Sequence, residues 1–116
     1  MTITRLTSLL GAIVLTFALP ATAAVHEVKK GGSIQAAVTA AAPGDTIKVY
    51  PGVYNETVFV DKDDISLIGV VENGKWPQLD GEKNLNDAIL YSGNGFSVEW
   101  FKITNYKGNA IMGQSG

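Results

Sequence analysis

Tyr54 and Glu56 are the first residues of this chain whose side chains suggest ligand chemistry. They belong to the segment Gly52-Val53-Tyr54-Asn55-Glu56, in which a phenol and a carboxylate could share a substrate groove. The same residues also suit a structural role, in which Gly52 permits a turn, Tyr54 packs on the chain and Glu56 accepts hydrogen bonds from backbone amides. The structural role is the preferred interpretation, and substrate binding is kept as the alternative.

Large aromatic side chains form a second group of candidates. Aromatic rings stack on sugar rings, but they also fill the cores of stacked β proteins, and core packing is the expectation for most of them. Trp76 is the best candidate for an exposed platform, because it lies between the turn signal Asn73-Gly74 and Pro77, in a loop of the kind that builds binding faces in repeat proteins. The aromatic residues in question are Tyr50, Tyr54, Trp76, Tyr91, Trp100 and Tyr106.

Clustered carboxylates offer weaker candidates for metal or acid chemistry. Asp61, Asp63 and Asp64 supply the hard oxygen ligands that suit Ca²⁺, but their spacing lacks the glycine-turned loop of a calcium motif, which favours a solvated turn. Asp80 and Glu82 could form an acid pair for glycoside hydrolysis, although Asp80-Gly81 is first a turn signal. We therefore expect no metal and no cofactor, Ca²⁺ being the one ion that these ligands suit.

Composition and charge exclude several classes of protein. The 116 residues make at most one ordinary domain, and 46% hydrophobic with 17% charged residues is typical of a folded chain. A net charge of −2 argues against a nucleic-acid partner held by a basic surface. The absence of Cys excludes disulfides, thiolate zinc sites and Cys nucleophiles, and a single His, His26, cannot form a zinc site or a catalytic triad.

The first 24 residues have the pattern of a secretory signal. Arg5 is followed by an apolar run of 14 residues from Leu6 to Leu19, which is shorter than the ~20 needed to span a bilayer. Pro20 ends the run, and the small residues of 21–23 are typical of a cleavage site, with cleavage after Ala23 or after Ala24. We expect a periplasmic or extracellular protein with no membrane span after cleavage, in which residues 25–116 form the folded part.

The rest of the chain predicts one short helix followed by short strands. Ser33 is a suitable N-cap for an amphipathic helix of about 10 residues that begins at Ile34. Residues 57–69 align without a gap on residues 88–100 at an offset of 31, and residues 86–90 align on 108–112 at an offset of 22. Such repeats predict a solenoid whose coils bury their apolar side chains against one another. The predicted strands are 25–28, 46–49, 57–60, 65–68, 88–91, 96–98 and 101–103, with a turn at 51–52 and a loose stretch over 72–86.

These segments together resemble the start of the right-handed parallel β-helix proteins of the pectin-lyase-like superfamily. The likeness lies in Gly-Ser-Ile-Gln-Ala-Ala-Val, Ala-Pro-Gly-Asp-Thr-Ile-Lys-Val and Ile-Ser-Leu-Ile-Gly between residues 32 and 69. Residues 80–98 are similar to uncharacterised bacterial parallel β-helix repeat proteins, and residues 52–56 resemble the Gly-x-Tyr-x-Glu segment of pectinesterases. Trp100 stands where the pattern calls for Gly. The resemblance implies an all-β solenoid with an N-terminal capping helix, of which this chain is expected to be an N-terminal fragment.

The resemblance implies work on polysaccharides, but not a complete catalytic site. The similar lyases use Arg with Ca²⁺ and the pectinesterases use two Asp and an Arg, whereas Arg5 in the predicted signal is the sole arginine here. We expect a secreted β-helix protein that binds or acts on polysaccharide, with Tyr54, Glu56 and Trp76 as the candidate substrate-binding residues. The alternatives are the N-terminal part of a lyase, pectinesterase-like enzyme, epimerase or glycoside hydrolase, and a purely structural solenoid of the cell envelope.

Overall fold

The fold is a parallel β-solenoid with one short helix near its start. The computed structural model describes residues 22–114, so most of the predicted signal lies outside the described residues. The elements are β1 (Val25–Val28), α1 (Ile34–Ala40), β2 (Thr46–Val49), β3 (Gly52–Tyr54), β4 (Val58–Val60), β5 (Ser66–Gly69), β6 (Pro77–Asp80), β7 (Ile89–Tyr91), β8 (Ser97–Glu99), β9 (Lys102–Thr104) and β10 (Ile111–Gly113).

Three parallel sheets run along the solenoid, and each complete turn contributes one strand to each sheet. The strand orders are β1-β2-β5-β8, β3-β6-β9 and β4-β7-β10. Ile47 pairs with Leu67 and Leu67 with Val98, so that apolar side chains form ladders across successive turns. Ile47 and Leu67 are fully buried, and burial of such a side chain stabilises the fold by ~1.5–3 kcal/mol.

The register confirms both repeat offsets. Val58 pairs with Ile89 and Ser66 with Ser97, as the offset of 31 requires, and the Ser97 hydroxyl donates to Ser66 Oγ at 3.2 Å. Ile89 in turn pairs with Ile111, as the offset of 22 requires. The repeat predicted from the sequence is therefore the coil of the solenoid.

Helix α1 is shorter than predicted but performs the expected capping role. Ser33 Oγ accepts a hydrogen bond from Ala36 N at 3.1 Å, which confirms the N-cap. The helix ends at Ala40 because Ala41 is extended, and Pro43-Gly44 follows. It packs against β1, β2 and β4, so its buried residues Ile34 and Val38 close the N-terminal end of the core.

Strands β3 and β6 correct the sequence prediction. Residues 51–52 were expected as a turn and 72–86 as a loose stretch, yet Gly52–Tyr54 and Pro77–Asp80 pair in parallel with one another. Pro77 is the first residue of β6, where a strand tolerates proline because the missing N–H breaks no interior ladder. Leu79 is fully buried, so β6 contributes to the core as the other strands do.

No helix within residues 22–114 combines the length and the apolar character that crossing a bilayer would require.

Candidate functional site

Tyr54 is part of the packed interior of the solenoid. Its side chain is only 3% exposed, and its hydroxyl donates to the Tyr50 carbonyl oxygen at 2.7 Å. Burial, with a smaller contribution from the charge of Glu56, raises the pKa of the Tyr54 phenol. The structure therefore places Tyr54 where the structural interpretation of the sequence expected it.

The Glu56 carboxylate caps helix α1 from one turn further along the solenoid. Its two oxygens accept hydrogen bonds from Ile34 N at 2.8 Å, from Gln35 N at 3.0 Å and from the Ser33 hydroxyl at 3.1 Å. These amides belong to the first turn of the helix, whose N–H groups have no partner within the helix. Both Tyr54 and Glu56 thus have structural partners, and their role in substrate binding stays a prediction.

Trp76 is the one of the three predicted substrate-binding residues that is open to solvent. Its side chain is 42% exposed, and that of Trp100 is 53% exposed. The two indole rings lie 5.5 Å apart between centroids with their planes tilted by 52°. The structure thus adds a second indole to the predicted platform and shows that Trp100 is not among the aromatic residues that fill the core.

The two tryptophans occupy equivalent positions of successive turns. Gln78 pairs with Lys102 across β6 and β9, and Trp76 and Trp100 each stand two residues before that pair. Neighbouring strands lie ~4.8 Å apart, so residues at equivalent positions stack along the solenoid axis. The Trp76–Trp100 pair is therefore a feature of the repeat and forms a ridge at the corner that precedes the β3-β6-β9 sheet.

Trp100 has an unusual backbone conformation. Its φ is +66°, in the left-handed region that disfavours bulky side chains. Gly69, which the repeat places beneath Trp100, has no room for a side chain, because a Cβ atom there would collide with the Trp100 carbonyl oxygen. The Gly pattern noted in the sequence thus marks a real turn, and Trp100 adopts the conformation that Gly would adopt without strain.

A groove runs beside this ridge over the outer face of β3, β6 and β9. It has a volume of about 750 Å³ and is lined among others by Lys30, Val53, Lys75, Trp76, Gln78 and Lys102. Trp76 and Lys102 also line a second concavity of about 360 Å³ with Phe101. The Trp76 ring therefore stands between two concave surfaces.

The three lysines give the groove a positive charge. Lys30, Lys75 and Lys102 are all exposed. Within residues 22–114 the one contact closer than 4.0 Å between a basic side chain and a carboxylate joins His26 to Asp45, so none of the three ammonium groups is neutralised by a described carboxylate at that distance. An aromatic ridge beside free cations suits a ligand that combines an apolar ring face with negative charge.

The carboxylate clusters considered above serve turns. Asp63 Oδ1 accepts from Asn94 N at 2.8 Å, which ties one turn of the solenoid to the next. Asp80 Oδ1 accepts from Glu82 N at 2.9 Å and from the Asn105 amide at 3.1 Å. In the described part of the chain, no three His, Cys, Asp or Glu side chains come together as metal ligands.

Sequence reasoning missed Trp100 and the lysines as parts of one surface. The available signal was the spacing between Trp76 and Trp100, which becomes visible once β6 and β9 are aligned.

No protein-family model, curated protein or solved structure matches this chain.

Proposed function

We propose that this chain is an exported polysaccharide-binding solenoid of the pectin-lyase-like group. Its binding surface is the Trp76–Trp100 ridge with the adjoining lysine-lined groove. The observation that carries the proposal is the exposed indole pair, one member of which is held at a positive φ. The parallel coils and the sequence resemblance support the family, and the pattern of residues 1–24 supports export.

The strain at Trp100 supports a role beyond folding. A residue held in a sparsely populated backbone region costs ~1–3 kcal/mol, and such residues cluster at binding sites. The ring gains little burial in return, because more than half of its surface faces solvent. A bulky side chain in a conformation that suits glycine is explained when the ring itself is needed at the surface.

The chemistry of the surface favours anionic sugar units. An indole face packs against the apolar C–H face of a pyranose ring, and Trp76 with Trp100 offers two such faces one turn apart. Lys75 and Lys102 lie on the same groove and offer ammonium donors to a uronate carboxylate. A lysine contributes here as a point charge that is screened by salt, which predicts binding that weakens as ionic strength rises.

Calorimetric titration with an oligogalacturonate tests the proposal. We expect the exported wild-type protein to bind it, and Trp76→Ala and Trp100→Gly each to weaken binding about tenfold, which corresponds to ~1.4 kcal/mol. Phe59→Ala is the matched control, because Phe59 is 39% exposed but lies on β4, on another sheet. Absence of binding in the wild type, or equal loss in the Phe59 variant, would refute the proposed site.

The fully methyl-esterified oligosaccharide separates stacking from charge. It keeps the sugar rings and removes the carboxylate charge, so we expect Lys75→Met and Lys102→Met to weaken binding of the acid and to leave binding of the ester unchanged. Incubation of each ligand with the protein also shows whether new reducing ends or unsaturated products form. Their formation would favour the enzymatic alternative over a binding role.

A further inference from the structure

Asp45 is a buried carboxylate at the point where the described fold begins. It is 5% exposed and lies directly before β2. Its Oδ1 accepts a hydrogen bond from Ala24 N at 2.9 Å, and its Oδ2 accepts from Ala42 N at 2.9 Å and faces His26 Nε2 at 2.9 Å. Three separate parts of the chain thus converge on one carboxylate.

Both the backbone N–H and the carbonyl of Ala24 are hydrogen-bonded, whereas Thr22 and Ala23, the described residues before it, lie outside any helix or strand. The Ala24 carbonyl accepts from Thr46 N at 3.0 Å, which continues the β1–β2 ladder by one residue. Thr22 and Ala23 are exposed and lie outside any regular element. Exposed small residues at the edge of a fold are preferred sites of proteolysis.

We propose that the Ala23–Ala24 bond is the processing site of this chain and that the ammonium group freed on Ala24 forms an ion pair with Asp45. The inference rests on the secretory signal predicted for the first residues and is independent of polysaccharide binding. It decides between the two cleavage positions that the sequence pattern leaves open.

The chemical step is the hydrolysis of one peptide bond by a signal peptidase. Water adds to the carbonyl carbon of Ala23, the bond from that carbon to Ala24 N breaks, and Ala23 leaves as a carboxylate at the end of the released segment. Ala24 N gains one proton from the water and becomes an amine. At neutral pH the new carboxylic acid of Ala23 releases its proton to solvent and the amine takes one up, so that Ala24 becomes a primary ammonium. The nitrogen that donated an amide N–H to Asp45 Oδ1 then carries a positive charge at the same place.

Cleavage one residue later would dismantle this arrangement. Loss of Ala24 removes the donor of Asp45 Oδ1 and the acceptor of Thr46 N together. Asp45 Oδ2 would keep Ala42 N and His26, but Oδ1 would lose the backbone N–H that it accepts, and a buried polar atom without a partner is unfavourable. Cleavage after Ala23 keeps both hydrogen bonds and adds an opposite charge, so this position is the one that the fold accommodates.

The first test is the N-terminus of the exported protein. The full chain is expressed in a bacterium that recognises secretory signals, and the product is analysed by N-terminal sequencing and intact mass. We expect a chain that begins with Ala24. A chain that begins with Val25, at another residue, or at Met1 without cleavage would overturn the proposal.

The second test is the titration of the new amino group. The resonances of ¹³C-labelled Ala24 are followed against pH in the exported protein, with His26 as the other titrating group that faces Asp45. An opposite charge at this distance raises the pKa of an amine, so we expect a value at least about one unit above the ordinary range of ~7.7–8.0. An N-terminal Ala24 with an ordinary pKa would overturn the ion pair.

A matched pair of variants assigns the effect to Asp45. Asp45→Asn removes the negative charge and should return the Ala24 amino group to its ordinary pKa. Asp63→Asn removes the same charge from a carboxylate that also accepts a backbone N–H, but on a different turn of the solenoid, and should leave the raised value unchanged. If Asp45→Asn does not fold, the wild-type titration still decides the outcome, and a raised pKa that persists in a folded Asp45→Asn protein would contradict the assignment.

Discussion

Replacement of Trp100 by Gly and by Ala separates the conformation of its backbone from the function of its ring. Both changes remove the indole, so both should abolish the contribution that we propose Trp100 makes to sugar binding. They differ only in the Cβ atom, which at φ +66° is strained in Ala and absent in Gly. The difference in stability between the two variants therefore reports the energetic cost of the left-handed conformation at residue 100, set against the greater entropy that Gly loses on folding.

The expected difference follows from two opposing terms. The left-handed region costs an L-residue ~1–2 kcal/mol, which favours Gly. Gly loses more freedom on folding, which favours Ala by ~0.4–1 kcal/mol. The Gly variant should therefore be the more stable by ~0.5–1 kcal/mol, which in a domain of this size is a difference of several degrees in melting temperature.

Relative to the wild type, the Gly variant should be nearly neutral. It loses the tilted contact between the indole rings of Trp100 and Trp76, which is worth ~0.5–1.5 kcal/mol, and Gly loses more conformational entropy on folding. The change to Gly also removes the strain of the left-handed backbone at residue 100, which is similar in size to these two losses. A protein that keeps its stability while binding falls tenfold is the signature of a residue retained for its ring.

Thermal and urea unfolding of the two variants provide the assay, and Glu99 provides the control. Glu99 is the neighbouring residue, exposed and in strand β8, where the backbone is extended. At that position Ala should be more stable than Gly, the reverse of the order at 100. The reasoning about Trp100 fails if Ala is as stable as Gly there, or if the Gly variant binds sugar as the wild type does.

Three further changes test the scaffold. Glu56→Ala should lower the free energy of unfolding by ~1–2 kcal/mol in urea titrations, because the N–H groups of Ile34 and Gln35 in the first turn of α1 lose their acceptor. Glu99→Ala should have little effect. Gly69→Ala should prevent accumulation of folded protein, as judged by circular dichroism, because its Cβ would collide with the Trp100 carbonyl oxygen. Hydrogen bonds from the backbone N–H of Ala24, then from that of Ala42 and from the His26 ring, lower the pKa of Asp45 from 3.8 to about 2. The stabilisation that the ionised Asp45 gives to the fold is therefore complete above pH 3.8 and is lost as pH falls towards 2. The melting temperatures of wild type and Asp45→Asn should differ at pH 5 and converge near pH 2.

The register of two sheets could be predicted from the sequence because successive coils of a solenoid carry residues of similar type at equivalent positions. Val58 and Ile89 occupy the same inward position of successive turns, and each needs an apolar neighbour above or below. A gap-free offset of 31 residues was therefore enough to predict which residues pair. The same logic predicted α1, since its apolar stripe requires a core to cover.

The third sheet was missed because its strands have weak local signals. Strand β3 has three residues and begins with Gly52, and β6 begins with Pro77 inside a segment rich in turn residues. Each becomes a strand because the neighbouring turn offers it a ladder of backbone groups. Tertiary pairing of this kind overrides local propensity, and a single strand read alone does not reveal it.

The proposed binding surface was half predictable for the same reason. Trp76 could be chosen from its loop. The Gly that the pattern calls for at position 100 indicated a turn there, but it did not indicate that the indole of Trp100 would lie exposed beside Trp76. A Cβ atom on Gly69 would collide with the Trp100 carbonyl oxygen, and residue 100 itself has a positive φ. This contact explains why residue 69 is Gly, and it would be satisfied equally well by Gly at 100. The packing of the coil therefore does not account for the indole at 100, whereas the proposed binding role of this ring beside Trp76 does.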